Sequence, residues 1–109
     1  MNRVYVFLAD GFETVEALAP VDVMRRAGLN VVTVSIMGRK NVVSAQDVTV
    51  EADILFEDST LEGATAYVLP GGSVGTDNLS AHTALRSLLV TENGKNTLIA
   101  AICAAPMVL

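Results

Sequence analysis

The sequence predicts an open α/β fold with a largely parallel sheet, and three observations predict it. Strand-like and helix-like segments alternate along the chain. The strands are near-continuous apolar runs, the pattern of strands covered on both faces. Three of them end in residues suited to a site, Ala9, Gly71 and Cys103, and the C-terminal ends of parallel strands share one edge of the sheet.

The elements follow in order. "RVYVFLA", residues 3–9, is the first strand. "ETVEALAPVDVMRRAG" reads as a helix with Val15, Leu18, Ala19, Val23 and Ala27 at helical spacing. Acidic residues open it, Arg25 and Arg26 close it, and Gly28 stops it, as the helix dipole and the C-cap prefer. Pro20 should kink this helix or begin a new turn. "NVVTVSI" is a second strand, and residues 38–53 hold "NVVS" and "VTVEA", an edge hairpin or two small strands. "ATAYVLPGG" is a buried strand closing in a Pro-Gly-Gly turn. In "NLSAHTALRSLLVTENG", Ser80 is the expected N-cap, Ala84, Leu85, Leu88 and Leu89 the inner face, and Gly94 the stop. "NTLIAAIC" is the last strand.

The 109 residues have room for one domain, and 51% hydrophobic with 17% charged residues describes a chain that folds. A net charge of −5, with scattered basic residues, argues against nucleic acid or an anionic membrane as partner. No run approaches the ~20 apolar residues of a membrane span. The single cysteine excludes an internal disulfide and makes a reducing cytoplasm the default location. One Cys and one His cannot build a zinc site, and no phosphate-binding glycine loop occurs, so neither metal nor cofactor is expected.

Three places could carry chemistry. "AAICAAP" has the form of a nucleophile elbow: Ala101 and Ala105 flank Cys103 where a strand turns sharply, and Pro106 suits a first helical turn. A thiol there would feel the positive end of the helix dipole and ionise more readily; a buried structural cysteine fits the local pattern equally well. Gly71 and Gly72 could turn backbone N–H groups into the cleft and, with Ala104, form an oxyanion pocket, although a plain turn is the simpler reading of Pro-Gly-Gly. Glu16, one turn into the first helix, could look across the cleft and, holding a proton, donate a hydrogen bond to a thiolate. Complementing the helix dipole, as Glu13 would, explains it as readily. His82, near the start of an amphipathic helix and expected to be exposed, is not expected to be catalytic.

"ADGFETVEALAPVDVMRRAG", "YVLPGGSVGTDNLS" and "LIAAICAAP" together resemble the ThiJ/PfpI superfamily, in particular its DJ-one-like branch, in order and from Val4 to Leu109. The resemblance implies a flavodoxin-like sandwich, usually a homodimer, with Cys103 as the elbow nucleophile. It implies that Glu16 is the protonated glutamate beside the thiolate and that Gly72 and Ala104 line the anion pocket. It also implies cofactor-independent chemistry, glyoxalase-like or deglycase-like, on small carbonyl compounds. A redox-sensing stress protein or chaperone acting through oxidation of Cys103 is the alternative. Members with protease or amidase chemistry carry His directly after the nucleophile. Ala104 stands there, so a Cys-His peptidase is disfavoured. Family domains continue past the elbow, and these 109 residues are expected to be the N-terminal portion of one such domain.

Overall fold

The computed structural model describes residues 3–95 and 97–101. In chain order the elements are β1 (Arg3–Leu8), α1 (Thr14–Arg26), β2 (Asn30–Ser35), β3 (Asn41–Val43), β4 (Thr49–Glu51), β5 (Ile54–Leu55), a 3-10 turn (Phe56–Asp58), β6 (Ala66–Leu69), α2 (Ser73–Ala81), α3 (Thr83–Asn93) and β7 (Leu98–Ala101). The main sheet is parallel, in the order β5-β2-β1-β6-β7. The expected hairpin forms as a separate antiparallel pair, β3–β4, not as an edge of that sheet. The short edge strand β5 had no signal of its own in the sequence.

Alternation along β1 sends its side chains into two cores. Tyr5 and Phe7 join Tyr67 and Leu69 of β6 and Leu79, Leu85 and Leu89 of the helices α2 and α3. Tyr67 stacks between the two β1 rings, with centroids 5.9 Å from Tyr5 and 6.0 Å from Phe7. Val4, Val6 and Leu8 face the other way, into a cluster with Phe12, Ala17 and Val21 beside Val42 and Ala52 of the hairpin region. One face of the sheet therefore carries α1 and the hairpin, the other α2 and α3. This is the mostly parallel α/β sandwich that the sequence predicts.

Helix α1 presents a different side to the sheet from the one expected. Ala17 and Val21 are buried, whereas Val15, at 67%, and Val23, at 63%, are exposed, as are Ala19 and Ala27. Apolar residues lie on both sides of this helix, so spacing alone fits two faces. The helix also runs unbroken through Pro20. That residue has no N–H to give the Glu16 carbonyl four positions earlier.

The segment read as one helix from Ser80 is two. Ser80 lies inside α2, which begins behind Gly72, and His82 takes an extended backbone (φ −85°, ψ 97°) that ends α2 and opens α3. His82 Nδ1 accepts the Leu85 N–H at 3.0 Å, so the imidazole is the N-cap. It is half-buried, edge-on to Phe56, with centroids 4.7 Å apart. Burial holds its pKa below the usual histidine value, which keeps the accepting nitrogen unprotonated. Leu85 and Leu89 are buried as expected, but Ala84 is exposed. Gly94 does cap the C-terminus of α3.

Glu92, on the inner side of α3, is fully buried. Its Oε1 accepts the Gly63 N–H at 2.9 Å and the Tyr67 hydroxyl at 3.0 Å, and Lys95 Nζ lies 3.0 Å from Oε2. The Leu61 carbonyl lies within hydrogen-bond distance of the same hydroxyl, so the single Tyr67 proton is shared between it and Glu92. One carboxylate thus ties the loop before β6, where Leu61 has φ +58°, to the last turn of α3. Lys95 first, then the Gly63 amide, hold the Glu92 carboxyl below the usual range against the effect of burial.

Candidate functional site

The strand order creates the site. From β1 the chain moves outward to β2 and β5, then returns to place β6 on the opposite side of β1. The connections leaving β1 and β6 diverge to opposite faces, and a crevice opens between them, as at the switch point of other open α/β sheets. Its described walls are Gly11, Glu13 and Glu16 from the β1–α1 side, Gly72, Ser73 and Val74 from the start of α2, and Ala45 from the hairpin tip. The cleft encloses ≈ 520 Å³. It contains two carboxylates and, among the described lining residues, no cation.

Glycine lets the two connections meet. Gly72 has φ +102°. A Cβ on it would overlap the Gly11 carbonyl oxygen and sit 2.9 Å from Glu13 N. At Gly75, a Cβ would lie 2.9 Å from both Phe12 Cα and Phe12 N. Backbone bonds then stitch the contact: Glu13 N–H to the Gly71 carbonyl at 2.9 Å, and Gly75 N–H to the Gly11 carbonyl at 3.2 Å. Pro-Gly-Gly is thus more than a turn, because it docks the start of α2 against the entry to α1.

Glu16 reaches this junction. The Gly71 N–H donates to Glu16 Oε1 at 3.2 Å, which brings together two of the residues singled out in the sequence. The Gly71 amide, expected in an anion pocket, is engaged by the Glu16 side chain instead. Gly72 lines the cleft itself. Cys103 and Ala104, with the elbow and the helix that Pro106 would begin, lie outside the described residues. Strand β7 ends two residues before Cys103 in the sequence, its last pair with β6 being Leu69 with Ala101.

The hairpin closes the other side. Asp10 Oδ1 accepts the Val43 N–H at 3.1 Å and its carboxylate pairs with Arg39, the contact chiefly responsible for lowering its pKa. Gly11 N–H donates to the Val43 carbonyl at 2.8 Å, and Ala45 N–H to the Phe12 carbonyl at 2.7 Å. Gly11, Ala45, Ser73 and Gly75 were missed in the sequence. A glycine just past a strand end was the only available signal, and it pointed to Gly11 alone.

Comparison with known proteins agrees with this geometry. The family model described as the DJ-1/PfpI family matches residues 2–109. A Parkinson disease protein 7 homolog of Danio rerio is 42% identical over 109 residues, covering 99% of this chain and 58% of that protein. The structure of an oxidized DJ-1 from Toxoplasma gondii superposes with a TM-score of 0.95 at 35% identity, covering 100% of this chain and 59% of the other. Drosophila melanogaster DJ-1beta gives a TM-score of 0.95 at 34% identity, covering 99% and 58%. The chain therefore spans somewhat more than half the length of these relatives. With the family match over nearly all its residues and the switch-point cleft in place, the chain belongs to the DJ-1/PfpI family.

Proposed function

We propose that the complete protein is a cofactor-independent, cysteine-dependent enzyme acting on small 2-oxoaldehydes, or on the glycated groups they form. The observation that carries this reading is the Glu16 carboxyl at the edge of the cleft, where it accepts the Gly71 N–H, with β7 running parallel to β6 beside it as far as Ala101. The Cys103 thiolate adds to the aldehyde carbon of a compound such as methylglyoxal, and a proton completes the hemithioacetal. Glu16 removes the proton from that carbon and returns it to the neighbouring carbonyl carbon, while the hydroxyl proton of the hemithioacetal passes to the neighbouring oxygen through the enediol. The first carbon is thereby oxidised to a thioester and the second reduced to an alcohol. Water cleaves the thioester, giving a 2-hydroxy acid and the free thiol, so the net reaction consumes one water and no external oxidant. The amides of Gly72 and Ala104 are the groups proposed to hold the developing oxyanion. Methylglyoxal consumption and lactate formation by the complete protein, beside Cys103→Ala and Glu16→Ala, test this. Equal rates in all three would overturn it.

A redox role for the same cysteine is favoured by one observation, that the similar Toxoplasma gondii protein was solved as an oxidized DJ-1. Cys103 would be oxidised by two equivalents of peroxide to the sulfinic acid, with two waters released. A selective gain of about 32 Da at Cys103 under low peroxide is the expected mark. Oxidation of the methionines first would contradict it.

The proposed partner besides substrate is a second copy of the chain. Val15, Ala19 and Val23 form an exposed apolar line along α1, the kind of surface an interface covers. Light scattering of the complete protein should give a dimer mass that Val15→Lys lowers, and a monomer in the unaltered protein would contradict the proposal.

A further inference from the structure

We propose that Gln46, at the tip of the β3–β4 hairpin, is a positioning residue that sets Glu16 in the cleft. The inference rests on the reading of Glu16 as the proton carrier.

Helix α1 begins without a cap of its own: Glu13 occupies the N-cap position, and its side chain accepts none of the first-turn N–H groups. Gln46, 32 residues further along, supplies the missing acceptor. Its Oε1 takes the Thr14 N–H at 3.1 Å and lies 2.8 Å from Thr14 Oγ1. Its other end works in the opposite sense, since Nε2 donates to Glu13 Oε2 at 2.9 Å. One amide thus holds both residues that start the helix, and Glu16 lies in the first turn above them.

The clamp is built rather than incidental. Ser44, buried at the base of the tip, accepts the N–H groups of Gln46 at 3.3 Å and Val48 at 3.1 Å on its Oγ, which also lies 2.6 Å from Thr14 Oγ1. The turn closes through Ser44 N–H to the Val48 carbonyl at 2.9 Å and Asp47 N–H to the Ser44 carbonyl at 3.0 Å. Asp47 takes the left-handed conformation (φ +62°) that such a tip requires. Ala45, between Ser44 and Gln46, bonds Phe12 and lines the cleft. From the clamp the path to the site is short: Glu13 N–H is bonded to the Gly71 carbonyl, and the Gly71 N–H is bonded to Glu16. Releasing the first turn of α1 therefore loosens both ends of the Glu16–Gly71 contact.

The test uses the complete protein and two readouts, methylglyoxal turnover and the pH midpoint of alkylation at the peptide carrying Cys103. Gln46→Ala should lower kcat roughly tenfold with KM changed less than about twofold, because it misplaces a reacting group rather than removing a binding one. The alkylation midpoint should move toward that of Glu16→Ala. Gln46→Glu should do the same, since it sets a carboxylate against Glu13. Combining it with Glu13→Gln should recover most of kcat and the original midpoint, because donor and acceptor are then exchanged. Gln46 is exposed, so circular dichroism should show each variant folded. A Gln46→Ala protein that melts earlier but keeps its kcat and midpoint would overturn the inference while leaving the role of Glu16 intact. If Glu16→Ala itself changes neither readout, the proposed chemistry falls and the positioning role falls with it.

Discussion

Gly71 and Glu16 stand 55 positions apart in the chain and meet at 3.2 Å, backbone nitrogen to carboxylate oxygen. The contact joins the end of β6 to the first turn of α1, the two connections that part at the switch point. It requires Gly72, whose backbone must pass the Gly11–Glu13 segment with no side chain between them.

That close passage separates the glycines. Gly63, with φ +74°, has nothing within 4 Å of an added Cβ, so Gly63→Ala should cost about 1 kcal/mol, for backbone strain alone. Gly72→Ala meets the same strain and also a wall of backbone, so its cost should exceed about 3 kcal/mol. Urea unfolding of the two variants measures the difference, and equal midpoints would contradict the geometry.

The buried bond between Tyr67 and Glu92 offers a second check. Tyr67→Phe removes the one hydroxyl proton that Glu92 Oε1 and the Leu61 carbonyl share. The loss should be about 1–3 kcal/mol, with faster amide exchange in residues 61–64. An unchanged unfolding midpoint would show that this hydroxyl holds nothing.

Acid should weaken the fold through Glu92, Asp10 and Asp53, the last accepting the Thr33 N–H at 2.9 Å and pairing with Arg25 at 2.7 Å, because the folded-state pKa values of all three are lowered. Each carboxylate contributes stability that is present above its unfolded value, 4.5 for Glu92 and 3.8 for the aspartates, and is lost as the pH falls through the folded one. Unfolding midpoints should therefore fall steadily below about pH 4.5, and Glu92→Gln should flatten the slope. A slope unchanged by that substitution would contradict the assignment.

His82 adds a separate step at milder pH. Burial lowers its folded pKa from 6.5, so the unfolded chain takes up the proton first and stability declines as the pH falls from 6.5 to the folded value. His82→Ser keeps an N-cap oxygen and should abolish this step, while His82→Ala should also lose about 1 kcal/mol at neutral pH. Identical pH profiles in the unaltered protein and His82→Ser would contradict the titration step, and an unchanged stability of His82→Ala at neutral pH would contradict the capping role.

Much of this architecture was legible in the sequence because it rests on local chemistry. Apolar runs mark the strands, Gly94 ends a helix, and the Pro-Gly-Gly segment lies where a parallel strand delivers its end to the cleft. Helix α1 shows where such reading stops. Val15, Ala19 and Val23 match a buried spacing as well as Ala17 and Val21 do, and only the sheet decides between them. His82 reads as an exposed residue just inside a helix that begins at Ser80, because nothing local says that its ring accepts the Leu85 N–H. Gln46 carried no signal at all, since the partners of its side chain lie more than 30 positions away. Glu16 could be proposed, but only the return of β6 beside β1 brings Gly71 to it.

The most direct measurement is the rate of Cys103 alkylation against pH in the complete protein, read at the Cys103 peptide, with and without Glu16→Ala. A midpoint well below the ~8.5 of a free thiol that rises when Glu16 is removed is the predicted result, and it would place thiolate and carboxyl in one site. A midpoint near that value, indifferent to Glu16, would contradict the account.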